Sequence, residues 1–233
     1  MKPLVAITGA SAGIGAAAAK LFSEKGYPTL LMARRLEKLE AMNLPNSVCR
    51  EVDVNNREQI RSAVADAQAE FGPVDCLINN AGILYLGRPW EQDPEEWERM
   101  IQTNIMGVLN GIHSVLKDMM ERETGTIINI SSLAGRQTFG LHSAYCGTKF
   151  AVHAISETIR GEVAHTNVRV ITVAPGSTDT EVIHLTTKEE HREKWRKGVK
   201  VKLTAEDVAR SILFTYEQPQ YVCIRELVIT PTY

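Results

Sequence analysis

An apolar run, Leu4–Thr8, passes directly into Gly9-Ala10-Ser11-Ala12-Gly13-Ile14-Gly15 and then into a segment of helical composition. Glycines at such a junction let the chain turn tightly and let backbone approach a ligand. A helix that opens there presents free N–H groups and the positive end of its dipole, a setting for phosphate. The spacing of Gly9, Gly13 and Gly15 between a strand and a helix discriminates better than three glycines alone. Gly13-x-Gly15-x-x-Ala18 also satisfies the dinucleotide-loop pattern. A Gly-Lys pair, which a nucleoside-triphosphate loop requires, occurs nowhere in the chain. The plain alternative is a glycine turn that holds nothing.

The strand–helix alternation continues along the chain. Further strands are expected at 29–33, 48–52, 74–78, 126–130, 168–173 and 227–230. Helices are expected at about 13–25, 56–71, 143–164 and 205–216, the last capped by Thr204, with another opening at Pro94. The strands are continuous apolar runs, as strands buried on both faces should be. The pattern predicts an α/β fold: a doubly wound parallel sheet with helices on both faces. At 233 residues one domain, 1–233, accounts for the chain. Residues 181–203 are dense in charge (KEEHREKWRKG). They read either as a solvated helix or, over about 177–203, as a substrate lid at the carboxyl ends of the strands.

Composition narrows the function. Lys+Arg 26 against Asp+Glu 28 leaves a net charge of −2, which gives nucleic-acid binding no support. The four cysteines form no C-x-x-C pair and have no histidine cluster beside them, so no metal site is expected. No run approaches the ~18 apolar residues of a membrane span, and the N-terminal run is too short for a signal peptide. The expectation is a cytoplasmic protein with no membrane partner.

The second strand ends Met32-Ala33-Arg34-Arg35. An acid there would bind a ribose 2′-hydroxyl; two guanidiniums suit a 2′-phosphate instead. The residues therefore point to NADP(H), the alternative being two surface arginines that open a helix. Farther on, Tyr145-Cys146-Gly147-Thr148-Lys149 places a tyrosine and a lysine on one helix face, shortly after Ser132 at the end of the fifth strand. A hydride delivered to a carbonyl creates alkoxide charge that must be protonated. The ordinary tyrosine pKa of about 10 is high for that exchange. A lysine ammonium nearby is expected to lower it, while Ser132 holds the carbonyl oxygen. Ser131 is the competing serine.

Taken together, Thr8-Gly9-x-x-x-Gly13-x-Gly15, Asn79-Asn80-Ala81-Gly82, Asn104, Ser132, Tyr145, Lys149 and Pro175-Gly176 resemble the short-chain dehydrogenase/reductase family over nearly the whole chain. The resemblance implies a seven-stranded Rossmann fold. It implies catalysis by Tyr145 as general acid/base, with Lys149 also holding the nicotinamide ribose, Ser132 positioning substrate and Asn104 holding a relay water. The implied cofactor set is Gly9, Ser11, Gly13, Ile14, Gly15, Arg34, Arg35, Asp53, Val54, Asn80, Ala81, Gly82, Tyr145, Lys149, Pro175, Gly176 and Thr180. It further implies a homo-oligomer, a tetramer or dimer, built on helices near 106–122 and 143–164. An apolar face at Val108, Leu109, Ile112 and Leu116 suits either such an interface or the core.

The expected activity is NADP(H)-dependent interconversion of a secondary alcohol or hydroxy acid and its carbonyl. A small hydroxy-acid or serine-type substrate and a general ketone or aldehyde both remain open. His142 and Arg136 are candidate substrate contacts. A non-enzymatic NADP-binding sensor is the alternative of another class. Such a protein has no need of Ser132, Tyr145 and Lys149 together.

Overall fold

In the computed structural model, which describes residues 2–232, the apolar runs form strands. They are β1 (Leu4–Thr8), β2 (Thr29–Ala33), β3 (Ser47–Glu51), β4 (Val74–Asn79), β5 (Gly125–Ile130), β6 (Val168–Pro175) and β7 (Glu226–Ile229). Among the described residues these make one sheet, all parallel, in the order β3-β2-β1-β4-β5-β6-β7. Strand order reverses between β1 and β4, so the connections leave the sheet in opposite directions there and open a crevice at the carboxyl ends.

The helices are α1 (Gly13–Glu24), α2 (Leu36–Glu40), α3 (Arg57–Phe71), α4 (Pro94–Ile101), α5 (Gly107–Glu121), α6 (Ser143–Val163), α7 (Glu189–Gly198) and α8 (Ala205–Tyr216). Local chemistry sets several starts. The Asn56 side chain accepts from Glu58 and Gln59 N–H groups, Asp93 accepts from Glu95 N–H with Pro94 following, and Thr204 with Asp207 forms a reciprocal capping box.

Two cores flank the sheet. Ile60, Val64, Ile112, Met119 and Val152 pack one face with α3, α5 and α6; Phe22, Leu39, Val208 and Ile212 pack the other with α1, α2 and α8. Val108 and Ile112 thus belong to the core, while Leu109 and Leu116 are only partly covered. Inner strands β1 and β2 are buried at every position, which is why they read as unbroken apolar runs. Edge strand β7 is half-buried. Among the described residues no helix is long and apolar enough to cross a membrane.

Candidate active site

The crevice is a cavity of about 960 Å³ lined from both halves of the sheet. Ser132, Tyr145 and Lys149 line it, and so does every residue of the expected cofactor set except Gly15. Gly15 is buried in the loop: a Cβ there would clash with the Gly9 carbonyl oxygen and with Asn80 Nδ2. Gly9 and Gly13 have φ of +65° and +54°, the left-handed region that glycine enters without strain. Thr180 stands beside Gly13, where a Cβ would meet its Cγ2 at 3.1 Å.

The loop is braced from β4. Thr8 Oγ1 accepts from the N–H groups of Asn80 (3.0 Å) and Ala81 (3.1 Å), while Asn80 Nδ2 donates to the carbonyls of Thr8 (3.0 Å) and Gly9 (3.2 Å). Among the described residues no side chain caps the N-terminus of α1, and its first turn holds no acid. The positive end of that helix is therefore left to an anion.

At the far end of the cavity Arg34 is exposed and Arg35 half-buried. Arg35 donates to Ser11 Oγ through Nε (3.3 Å) and Nη2 (3.1 Å), and through Nη1 to Glu181 Oε2 (3.3 Å). Asp53 and Val54 line the same end. The Asp53 carboxylate accepts from Asn55 N–H at 2.9 Å, which fixes the turn into α3.

The other end gathers the acid–base groups. Tyr145 and Lys149 lie one turn apart on α6, and Ser132 leaves β5 with its Oγ accepting from Ala134 N–H at 3.1 Å. The Ser132 hydroxyl stands close enough to the Tyr145 phenol to oppose the rise in its pKa. Ser131, the competing serine, turns inward and donates to the Lys149 carbonyl at 3.2 Å.

The protein's own groups shift the Tyr145 phenol the other way. Burial dominates and pushes Tyr145 up to about 12, with Ser132 opposing weakly. Lys149 does not drive the shift: its Nζ lies 5.7 Å from the tyrosine ring centroid and donates to the Ile130 carbonyl at 3.0 Å. Burial itself brings Lys149 down to about 8.

Asn104 lies beside the cavity rather than on its wall. It sits in a π-helical turn, Gln102–Met106, between α4 and α5, fully buried. Its side chain accepts from Ile83 N–H (2.8 Å) and donates to the Ile83 carbonyl (2.9 Å) and Thr148 Oγ1 (3.1 Å). Those bonds engage the amide within the protein. A Cβ on Gly82 would lie 3.4 Å from Asn104 Oδ1 and 3.5 Å from Lys149 Nζ, so the two side chains flank that glycine.

Residues 177–203 form a closed excursion over the cavity. Asp179 N–H donates to the Leu203 carbonyl and Leu203 N–H to the Ser177 carbonyl, both at 2.9 Å, which ties its ends together. Inside it run a short 3-10 turn, Glu181–Leu185, and α7. Charged α7 is not merely solvated. Trp195 and Val182, like Leu141 and Tyr145, pack against the buried cluster of Leu84, Leu86 and Ile183. Leu86 and Trp195 were not singled out in the sequence; the lone tryptophan in a charged helix was the available signal.

His142 lines the cavity with its ring centroid 6.1 Å from that of Tyr145, and burial holds its pKa below the ordinary value. Arg136 is a different case: it is ion-paired with Glu226 of β7 and does not line the cavity. It does meet a carboxylate, but the protein's own. Cys146 is buried, its thiol 3.9 Å from the Gln137 carbonyl.

The family model described as short chain dehydrogenase matches residues 3–191. An uncharacterised oxidoreductase of Staphylococcus saprophyticus is 35% identical over 235 residues, 98% of this chain and 96% of that protein. Glycine betaine reductase ATRR of Emericella nidulans is 37% identical over 234 residues, which are 97% of this chain but only 18% of that much longer protein. Among solved structures, the closed form of serine dehydrogenase complexed with NADP+ superposes with a TM-score of 0.91 at 32% identity, covering 97% of this chain and 94% of that one. Serine dehydrogenase from Escherichia coli gives 0.84 at 31% identity, covering 97% and 96%.

Proposed function

The chain belongs to the short-chain dehydrogenase family and is an oxidoreductase; from that premise we propose that it uses NADP(H) to interconvert a secondary alcohol or hydroxy acid and its carbonyl. One observation carries the reading: Ser132, Tyr145 and Lys149 share a cavity whose other end holds Arg34 and Arg35.

The chain's own residues fit the cofactor. The uncapped start of α1 suits a pyrophosphate, and Gly9 and Gly13 keep side chains out of its way. Arg34 and Arg35 suit a 2′-phosphate, and no acid at the end of β2 repels it. Asp53, Val54, Asn80, Ala81 and Gly82 would take the adenosine side, with Pro175, Gly176 and Thr180 beside the nicotinamide. Bound NADP(H) supplies or accepts the hydride.

Ser132 holds the substrate oxygen beside the Tyr145 phenol. With its pKa near 12, Tyr145 carries its proton at neutral pH and can give it to the developing alkoxide. Lys149, still largely protonated below about 8, contributes positive charge behind it. A protonated phenol is the form that carbonyl reduction requires. Asn104 serves best as the brace that sets Ile83 and α6.

Leu84, Leu86, Leu141 and Trp195 at the substrate end suit a carbonyl compound with an apolar substituent. A hydroxy-acid or serine-type substrate is the second reading. The likeness to serine dehydrogenase favours it, as do Lys194 and Lys200 on the cavity wall. A homo-oligomer through α5 and α6 belongs to the same proposal; exposed Phe150 on α6 supports it. The test is NADPH consumption over aldehydes, ketones and keto acids, with Tyr145→Phe alongside. Turnover that vanishes in the variant supports the reading. Tight NADPH binding without turnover on any substrate would favour a sensor.

A further inference from the structure

Two carboxylates and an imidazole converge where the excursion meets the loop after β4. His191 of α7 is 2% exposed. Its Nδ1 lies 3.2 Å from the Leu86 carbonyl. A carbonyl can only accept, so Nδ1 carries the hydrogen and Nε2 points the other way. Among the described residues, buried Nε2 has no hydrogen-bond partner. It nevertheless faces Glu91 Oε1 at 3.3 Å and Glu190 Oε1 at 3.2 Å.

We propose that Glu91, Glu190 and His191 form a divalent-metal site of the zinc class that fastens α7 to the loop after β4. The three ligand atoms lie within 4.8 Å of one another. Ligands bound tetrahedrally at 2.0–2.2 Å stand about 3.3–3.5 Å apart, close to the two distances from Nε2. Neither carboxylate oxygen makes a hydrogen bond with Nε2 despite these distances. The surroundings have the form of an outer shell. The Leu86 carbonyl fixes the tautomer, while Lys188 Nζ, 3.3 Å from Glu91 Oε2, and Arg88 Nη1, 3.4 Å from Oε1, orient the Glu91 carboxylate. One imidazole and two carboxylates suit zinc, with a fourth position open to solvent. The pattern was invisible in the sequence because Glu91 stands far from the His191 pair along the chain.

The site would hold the excursion down. Leu86 supplies both the carbonyl behind His191 and part of the apolar wall beneath Trp195. The Leu86 N–H also donates to Thr186 Oγ1 at 3.0 Å, so a bound ion would tighten an existing contact.

The experiment is equilibrium dialysis of the chelator-stripped full chain against zinc chloride, with bound metal counted. The wild type should take up one equivalent in the micromolar range. Glu190→Gln, at an exposed position that does not threaten folding, should weaken uptake at least tenfold, and His191→Gln should do the same. Cys223→Ser should leave it unchanged. Cobalt in place of zinc should show no thiolate charge-transfer band, and tryptic cleavage within 188–200 should slow when metal is added. Failure of the wild type to bind, equal binding by Glu190→Gln, or a thiolate band would overturn the proposal. In the first two cases the cluster is a polar contact between α7 and the loop after β4 and no metal site.

Discussion

Arg35 and Glu181 are ion-paired across the Arg34 end of the cavity, Nη1 to Oε2 at 3.3 Å, with Lys38 Nζ 3.9 Å from the other carboxylate oxygen. Glu181 thus occupies the guanidinium that a 2′-phosphate would need. The pair is half-exposed and weak, so a dianionic phosphate should displace it. Glu181→Gln should lower the Michaelis constant for NADPH a few-fold and leave that for NADH unchanged. Arg35→Ala or Arg34→Ala should raise the NADPH constant about tenfold or more, a loss on the order of 1.4 kcal/mol, with little effect on NADH. Steady-state kinetics with both cofactors decides; equal effects on the two would remove the 2′-phosphate assignment.

Tyr145→Phe should cost about 10²–10⁴ in turnover, the range of a general acid, with NADPH affinity, read by fluorescence, nearly intact. A variant that keeps a tenth of wild-type turnover would make the phenol dispensable.

The pH profile has a definite sign. Tyr145 is protonated below about 12 and Lys149 below about 8. Reduction should be level through neutrality and fall above about pH 8 as Lys149 loses its charge. Alcohol oxidation, which needs phenolate, should rise with pH up to that point. A reduction rate that climbs steadily into the alkaline range contradicts the assignment.

Lys149 should also cost stability. Its folded pKa is about 8 against an ordinary 10.5, so between those values the unfolded chain holds a proton that the folded chain lacks. Stability attributable to this group is therefore present above about pH 10.5 and lost as pH falls through about 8. The wild type should gain on Lys149→Met as pH rises across that window, by roughly 3 kcal/mol at most. Urea denaturation of both proteins at the two ends measures it. A constant difference would show that burial does not depress the lysine.

Gly15→Ala should fail at the loop rather than in the core. The added methyl meets the Gly9 carbonyl oxygen and Asn80 Nδ2, so either the loop shifts or the brace from β4 breaks. NADPH binding should weaken more than tenfold while the circular-dichroism spectrum stays native. Unchanged binding would mean the loop has slack that the packing does not suggest.

The sequence by itself determined the sheet and the position of the crevice. Unbroken apolar runs, caps such as Asn56 and Thr204, and the glycines at 9, 13 and 15 are local signals, and each maps onto a strand, a helix start or a turn within a few residues. Tyr145 and Lys149 were legible because helical spacing alone puts them on one face. Strand ends shifted by a residue, as at β3 and β7, because pairing with neighbours sets them. Tertiary structure decided the partners. Arg136 was drawn to Glu226, Arg35 to Glu181, and the Asn104 amide to Ile83 and Thr148, contacts between residues far apart in the chain. It also decided the direction of the Tyr145 shift. Desolvation depends on everything packed around a group, and no spacing along the chain records it. The same reason hid the Glu91–Glu190–His191 cluster and the seat of Trp195: each exists only where two distant segments are folded against one another.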